Sequence, residues 1–358
     1  MNKKFFLVSW DFLIPGLILA AFSLTTLLSI SFDLFKNQLF FLGISLAVFF
    51  FFSQVNYQII RLYSIPFYIC SLVLFILILL IGIESRGSIR WFELLGLRIQ
   101  FSEIFKPFLA ISLSSYLANH ENYSFKTFLS ILGFLLPVVF LIFLQPDLGN
   151  ALIYLGVVLT VLIIGGFPIR FFAVSAVSLA LIFPIIWNFL HDYQKQRLLT
   201  FLHPDDPLGS SYNAIQSVIA VGSGQFLGRG FGLGTQSGLK FLPERHTDFI
   251  FATISENLGF VGAFLVVLVF TYLVYRIFNN FSNTNDRFCQ FFYITAFSLI
   301  LVQFFVNVGM NIGILPVVGV TLPFVSYGGS SLVSNFILLG LLSAIGKGAS
   351  SRSALEIK

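Results

Sequence analysis

Long apolar runs recur along the whole of this 358-residue chain and constrain its fold more than any other feature. Each run is long enough to cross a bilayer as a helix, which takes about 20 residues. Charged residues make up only 10% of the chain, whereas a soluble domain carries about 25%. The runs therefore predict an all-α polytopic membrane protein, in which residues 1–358 form a single transmembrane domain.

The runs divide the chain into about ten predicted spanning helices. The longest non-apolar segment, 191–247, separates the seventh helix from the eighth and is predicted to be a large extracytoplasmic loop. The predicted helices cover residues 12–31, 38–53, 66–83, 103–118, 127–144, 149–165, 168–190, 248–275, 289–311 and 327–346.

The distribution of lysine and arginine between loops predicts the orientation in the membrane. With the N-terminus inside, ten basic residues fall on each side. Five of the outside ones lie in 191–247 and carry little weight, because long loops cross regardless of charge. Without these five, ten basic residues lie inside and five lie outside, which favours cytoplasmic N- and C-termini. The net charge of +5 is modest and indicates headgroups or an anionic lipid substrate, not nucleic acid.

The most polar short stretch is KFLPERHTDFIF, residues 240–251, which directly precedes the eighth predicted helix. Ionisable groups at the mouth of a membrane helix are costly and indicate function. We therefore interpret this stretch as the candidate active site, with Asp248 as its key residue. Its ionisable side chains are Lys240, Glu244, Arg245, His246 and Asp248.

Several roles for Asp248 are compatible with the sequence. Thr247 or Asp248 could cap the helix that follows, and from the residues alone this interpretation is favoured. Asp248 could instead act as a general base, or as a ligand for Mg²⁺ or Mn²⁺. Glu244 and His246 are interpreted as orienting groups, not nucleophiles.

Eight glycines between 209 and 238 precede this stretch. Backbone N–H groups of such a segment, together with Arg197, Arg229 and Lys240, could cradle an anion such as a diphosphate. The alternative is a flexible loop with ordinary turn glycines.

A second polar cluster contains Arg90, Trp91, Glu103 and Lys106. Glu103 and Lys106 are three residues apart on a predicted helix, so they can form a pair on one face. The alternative is an interfacial belt, in which tryptophan and arginine are common. In QPDLG, residues 145–149, Asp147 is predicted to cap the sixth helix.

The segment ILPVVGVTLPFVSYGGSS, residues 314–331, contains two prolines and paired glycines that interrupt a helix. Irregular backbone at membrane depth is tolerated only where it is buried or lines a cavity. We therefore predict a re-entrant loop that faces the site and includes Ser326 and Tyr327.

Five separated motifs occur in an order that resembles the SEDS family (shape, elongation, division and sporulation). They are RW with QFSEIFK in 90–106, QPDLG, DPLGSSYNAIQS in 206–217, GTQSGLKFLPERHTDFIFATISENLGFVGA in 234–263, and the 314–331 segment. The sequences of the last two motifs are more similar to the elongation member, RodA, than to the division member, FtsW. The sequence departs from the family pattern at Phe101, Gln225 and Asn257, and none of these changes removes Asp248.

The resemblance implies a peptidoglycan glycosyltransferase of the bacterial cytoplasmic membrane. It would polymerise lipid II during cell elongation, with a class B penicillin-binding protein and other elongation-machinery membrane proteins as partners. It assigns the essential aspartate to Asp248 and makes a divalent cation, Mg²⁺ or Mn²⁺, an expected cofactor. The candidate substrate-binding residues are Arg90, Trp91, Glu103, Lys106, Arg197, Gln216, Lys240, Glu244, Arg245, His246, Ser326 and Tyr327.

Two other functions compete with this interpretation. A lipid II flippase would also have many spanning helices and a broken segment, but it would need polar residues at mid-membrane that are accessible from both sides. The ionisable groups here gather on one face in 84–106 and 191–248, which favours an enzyme. A non-catalytic scaffold for a cell-wall synthase is the other alternative, and the intact 240–248 cluster argues against it.

Overall fold

The computed structural model describes residues 9–85, 88–94, 97–190, 192–202, 206, 209 and 211–356. The basic tip at Lys3 and Lys4, Arg86, and positions 207, 208 and 210 of the DPLGSSYNAIQS motif lie outside the described residues. In chain order the elements are α1 (Trp10–Ile30), α2 (Phe32–Gln54), α3 (Tyr57–Leu62), α4 (Ser64–Ile81), β1 (Ile83–Ser85), β2 (Ser88–Leu94), β3 (Leu97–Gln100), α5 (Phe101–Ile104), α6 (Lys106–Ala118), α7 (Phe125–Leu144), α8 (Leu148–Ile164), α9 (Ile169–Phe189), α10 (Asp192–Leu202), α11 (Tyr212–Ser223), α12 (Thr235–Gly238), α13 (Ile250–Ser282), α14 (Arg287–Asn311) and α15 (Gly329–Glu356).

Nine of the ten predicted spanning segments each correspond to one helix, whereas 103–118 is divided between α5 and α6; the polytopic all-α class is confirmed. Eight helices in the described part are long and apolar enough to cross a membrane, and α8 is a shorter apolar helix. At 1.5 Å per residue, the 13 residues of α6 span only about 20 Å, so α6 alone is shorter than the roughly 30 Å hydrocarbon core. The second helix is longer than predicted, and α13 is interrupted at Gly259, where φ is +64°.

The helix ends lie on two opposite faces of the protein. One of them, which we call the site face, carries the ends of α1 and α14 and the starts of α13 and α15. On the opposite face, the Ser9 amide donates to the Ser343 hydroxyl (3.0 Å), and the Lys347 ammonium donates to the Ser53 carbonyl (2.9 Å). Both described chain ends therefore lie opposite the site face.

Short elements that the sequence analysis did not predict cover the site face. A three-stranded antiparallel sheet in the order β1–β2–β3 connects α4 to α5. The predicted loop 191–247 contains the three helices α10, α11 and α12. In the membrane region α14 and α15 are the most buried spans, whereas Phe171 is the only buried residue of α9.

Candidate active site

The Lys240–Asp248 stretch folds into a turn that the re-entrant segment holds in place. The Glu244 carbonyl accepts hydrogen bonds from the Thr247 amide (3.1 Å) and the Phe249 amide (3.2 Å). The Ser326 hydroxyl donates to the Thr247 carbonyl at 2.6 Å, and the Tyr327 amide donates to the His246 carbonyl at 2.9 Å. Segment 314–328 is non-helical and packs against the turn, as predicted.

The prediction that Thr247 or Asp248 caps the eighth helix is wrong. Helix α13 begins at Ile250, and its N-cap residue Phe249 has no capping side chain. The Thr247 hydroxyl turns back to Glu244, donating to its carbonyl (3.2 Å) and its carboxylate (3.1 Å). The amide of Ala252 instead donates to the side-chain oxygen of Asn311 on α14 (3.0 Å), so a neighbouring helix supplies the cap.

Two buried asparagines of α14 hold the backbone of Asp248. The side-chain amides of Asn307 and Asn311 each donate to the Asp248 carbonyl at 3.0 Å. Asn307 also donates to the Val320 carbonyl at 2.7 Å, which connects the re-entrant segment to the same point. Neither asparagine has any exposed area, so their amides are rigid donors. We call this pair the asparagine clamp.

The asparagine clamp was missed in the sequence analysis, although a signal for it exists. Gln303, Asn307 and Asn311 are spaced by four residues in an otherwise apolar helix, so their amides lie on one helix face. Polar side chains inside membrane helices usually face the interior and mark functional positions.

The side chain of Asp248 is half-buried and lies close to Arg197 of α10. A Cβ atom placed on Gly319 would be 3.5 Å from Asp248 Oδ2 and 3.8 Å from Arg197 Nη1. Gly319 has φ of +72°, which suits glycine. The absent side chain at Gly319 thus leaves room next to both the Asp248 carboxylate and the Arg197 guanidinium.

Lys240, Glu244, Arg245 and His246 line a cleft of about 460 Å³ whose lining does not include Asp248. Partial burial lowers the pKa of the Arg245 guanidinium, which nevertheless remains protonated at neutral pH. The ring of His246 packs at a tilt against Tyr327, with the centroids 5.5 Å apart. The structure therefore brings these predicted residues together with Ser326 and Tyr327.

Glu103 and Lys106 form the predicted pair, but inside the helix bundle. The Lys106 ammonium donates to the Glu103 carboxylate (2.7 Å) and to the Gln303 side-chain oxygen (2.8 Å), and both charged residues are 4% exposed. Because the Lys106 ammonium is buried and engaged in these bonds, the prediction that Lys106 binds substrate does not fit its position.

Arg90 and Trp91 lie on β2, next to the start of α8. Arg90 Nη1 is 3.7 Å from Asp147 Oδ1. Asp147 caps α8 as predicted, because its carboxylate accepts from the Asn150 amide at 3.3 Å. Trp91 is half-buried and pairs with Gln100 across the sheet. Arg90 thus forms a structural ion pair with Asp147 on the site face.

The glycine-rich segment packs tightly against the interruption in α13. A Cβ on Gly224 would lie 1.8 Å from the Ser255 carbonyl oxygen, and one on Gly228 would lie 2.3 Å from the Asn257 carbonyl oxygen. These glycines therefore permit close backbone approach and do not form the flexible loop of the alternative interpretation. The buried Glu256 carboxylate accepts from the amides of Gln236 and Ser237, both at 2.8 Å.

Gln216 lies on α11, half-buried on the site face. Its side-chain oxygen is buried and finds no hydrogen-bond donor within the described residues. The next residue, Ser217, donates to the Asn311 carbonyl at 2.9 Å. Helix α11 is thereby attached to the asparagine clamp.

Comparisons with known proteins agree with this architecture. A family model described as a cell cycle protein, FTSW_RODA_SPOVE, matches residues 4–351. The chain is 40% identical to peptidoglycan glycosyltransferase MrdB of Escherichia coli K12 over 286 residues, 78% of this chain and 76% of the relative. It is 34% identical to stage V sporulation protein E of Bacillus subtilis over 319 residues, 87% of this chain and 86% of the relative.

Solved structures share the fold over nearly the whole chain. One comes from work on the structural coordination of polymerization and crosslinking by a peptidoglycan synthase complex. It has a TM-score of 0.84 and 29% identity, and covers 96% of this chain and 99% of its own. The crystal structure of the rod shape determining protein RodA of Thermus thermophilus has a TM-score of 0.74 and 26% identity, over 97% and 99%. The SEDS resemblance is confirmed, and the chain belongs to the FtsW/RodA/SpoVE family.

Proposed function

We propose that this protein is a peptidoglycan glycosyltransferase that polymerises lipid II, with Asp248 as its catalytic base. The observation that carries the proposal is that the Asp248 carboxylate and the Arg197 guanidinium both border the same space beside Gly319. The relative MrdB is named for this activity, and a structural neighbour was solved in a peptidoglycan synthase complex. A class B penicillin-binding protein and other elongation-machinery membrane proteins are the proposed partners.

The reaction needs a base and a cation close together. Asp248 takes the proton of the acceptor sugar's 4-hydroxyl, and that oxygen bonds to the anomeric carbon of the donor sugar. The bond from that carbon to the lipid diphosphate breaks, and the diphosphate keeps the electron pair. A base placed in this way contributes about 10²–10⁴-fold. Arg197 stabilises the negative charge that develops on the leaving diphosphate.

The asparagine clamp makes this geometry reproducible. It fixes the Asp248 carbonyl through two hydrogen bonds of 3.0 Å, so the side chain starts from a fixed backbone position. Holding reacting groups in place lowers a barrier, because the entropy of orientation is lost before the reaction.

The two faces support an outer location for the proposed site. Both described chain ends lie opposite the site face, so cytoplasmic termini place Asp248 outside. The count of basic residues in the loops supports cytoplasmic termini. The site then lies at the outer surface of the cytoplasmic membrane, where the substrate headgroup reaches water and its polyprenyl tail stays in lipid.

A divalent cation, Mg²⁺ or Mn²⁺, is part of the proposal. No three His, Cys, Asp or Glu side chains converge anywhere in the described part of the chain, so a resident ion held by the protein alone does not fit. A single carboxylate such as Asp248 does fit an ion shared with substrate phosphates, which is common for Mg²⁺. When bound, the ion would neutralise charge on the diphosphate.

Removal of divalent ions tests the proposed role of the cation. We expect EDTA to stop polymerisation reversibly and to leave the unfolding temperature of the substrate-free protein unchanged, because only an ion with a resident site stabilises the folded state. A fall in the unfolding temperature on adding EDTA would contradict the shared-ion arrangement.

The main experiment is a polymerisation assay with lipid II and a purified class B penicillin-binding protein, with the products separated by size. We expect Asp248→Asn to lower the rate by about 10²–10⁴-fold without loss of folded protein. Asp33→Asn, which changes an exposed carboxylate of α2, is the matched control and should behave as wild type. Wild-type rates in a folded Asp248→Asn protein would refute the base assignment.

A carrier is the second candidate, because one observation favours it. The buried Glu103–Lys106 pair with Gln303 is a polar cluster inside the bundle, such as a lipid transporter could use. If wild type makes no glycan with its partner present, a two-sided lipid-flipping assay decides for or against the carrier.

A further inference from the structure

Neither Asp248 nor Arg197 is among the residues that line the cleft of about 460 Å³ on the site face. The cleft lies between the turn that precedes Asp248 and the connection from α1 to α2. Its volume is within the range of small-molecule sites, about 300–1,000 Å³. Its lining consists of Ile30, Ser31, Leu34, Lys240, Leu242, Pro243, Glu244, Arg245 and His246.

The charge in this cleft favours an anion. Neither Lys240 nor Arg245 takes part in an ion pair among the described residues. The carboxylate of Glu244 also lines the cleft and accepts a hydrogen bond from Thr247 at 3.1 Å. Two cations therefore line the cleft with one carboxylate, which leaves a net positive charge, and guanidinium and ammonium groups are the usual partners of phosphates.

The apolar part of the cleft favours a lipid. Ile30 ends α1 and Leu34 lies in the first turn of α2, so both stand at the level where the membrane helices end. Leu239 and Phe241 flank Lys240 and are 67% and 48% exposed. A ligand with a phosphate group and an adjoining hydrocarbon chain would satisfy the cations and these side chains together.

The backbone of the cleft is held in an unusual conformation. Lys240 and Glu244 have φ of +66° and +51°, the left-handed region that non-glycine residues rarely occupy. Such strain persists only where the surrounding structure enforces it, and it clusters at ligand-binding sites. The strain at both positions is consistent with a preformed binding surface.

The proposed reaction requires two diphosphates at different distances from the base. The donor's diphosphate is bonded to the carbon that reacts, so it must lie next to Asp248. The acceptor's diphosphate is at the far end of its disaccharide from the 4-hydroxyl that Asp248 deprotonates, so it must lie away from Asp248. Arg197 and Asp248 both lie beside Gly319, whereas Lys240 and Arg245 line a cleft whose lining includes neither Asp248 nor Arg197.

We infer that the cleft is the acceptor subsite and binds the diphosphate and first isoprene units of the acceptor lipid. The inference rests on the proposed function, and it divides the cations between two roles. Arg197 serves the leaving diphosphate, while Lys240 and Arg245 hold a diphosphate that is not cleaved.

Photo-crosslinking tests this assignment. The full-length protein, in phosphatidylcholine nanodiscs, is given a photoreactive polyprenyl diphosphate, and crosslinked peptides are identified by mass spectrometry. The test variant is Lys240→Gly with Arg245→Gln. Glycine accepts the left-handed backbone at position 240, so this variant removes charge without adding strain there. Lys36→Gln is the matched control, since Lys36 is an exposed cation of α2 that does not line the cleft.

We expect wild type, Asp248→Asn and Lys36→Gln to crosslink within 30–34 or 240–246. The crosslinking signal of the double variant should be about tenfold lower than that of wild type, because charged hydrogen bonds to the diphosphate are lost. In the polymerisation assay it should raise KM for lipid II about tenfold with little change in kcat, because this binding is equal in ground and transition states.

Three results would overturn the assignment. They are undiminished crosslinking in the double variant, an equal loss in Lys36→Gln, and displacement of the probe by phosphatidylglycerol but not by inorganic diphosphate. The last result would make the cleft a general headgroup site. Failure of wild type to polymerise while the cleft still crosslinks contradicts the proposed function instead, so the two failures are distinguishable.

Discussion

Asp147 and Asp248 both stand just before a membrane helix on the site face, yet the structure surrounds them in opposite ways. Asp147 is 2% exposed, and its carboxylate accepts hydrogen bonds from Gln100 (2.9 Å), Ser102 (3.2 Å) and Asn150 (3.0 Å). Asp248 is held by its main-chain carbonyl, and its half-buried side chain extends towards Gly319.

The difference shows how one residue type serves two purposes. A buried carboxylate with several hydrogen-bond donors has a structural role, because each donor favours the charged form and fixes its position. Asp147 connects the sheet to α8 in this way. An aspartate whose backbone is fixed by other residues can present its side chain to a substrate. In sequence, PDLGN and TDFIF look like two equivalent helix starts, and only one is capped by its aspartate.

The most direct test of the difference between Asp147 and Asp248 is to neutralise each aspartate in turn. Asp147→Asn should lower the free energy of unfolding by about 2 kcal/mol, because an amide replaces the buried carboxylate that accepts several hydrogen bonds. Its polymerisation rate per folded molecule should be largely retained. Asp248→Asn should show the reverse, with stability retained and activity lost. Unfolding in mild detergent and specific activity would be measured on both variants, and similar profiles for the two would remove the distinction.

The asparagine clamp is the next largest test. Asn311→Leu removes one donor to the Asp248 carbonyl and the acceptor of the Ala252 amide. We expect kcat to fall about 10²-fold with a smaller change in KM, because the base is displaced. Asn280→Leu is the matched control, since its amide donates to the Arg276 carbonyl near the opposite face. A raised KM with unchanged kcat would assign the clamp to substrate binding instead.

The smallest expected effect concerns the room beside Asp248. Gly319→Ala places a methyl group near both Asp248 and Arg197 and strains a backbone with φ of +72°. We expect about 1 kcal/mol of destabilisation and about a tenfold loss of activity. Gly313→Ala carries a similar strain, with φ of +79°, but its methyl group would meet Val218. Equal activity losses in both variants would show that strain, not the occupied space, is responsible.

Much of the membrane domain could be predicted from the sequence. Nine of the ten apolar runs correspond to single helices and the tenth is divided between α5 and α6, and the interruption at 314–328 and the Glu103–Lys106 pair occur as expected. These features depend on hydrophobicity, helix period and proline or glycine positions within one segment. The sheet at 83–100 was not predicted, because its strands are only three, seven and four residues long, too short for a clear periodic signal in the sequence.

What the sequence by itself determined is the set of membrane spans, the family and the position of Asp248 at a helix boundary. The tertiary structure alone decided which aspartate is a cap, which cation accompanies Asp248 and which is buried. The hydrogen bonds that fix Asp248 join residues 59 and 63 positions apart, and the Lys106–Gln303 bond joins residues 197 apart. Such contacts depend on how separate helices pack, and no local pattern in the chain encodes that arrangement.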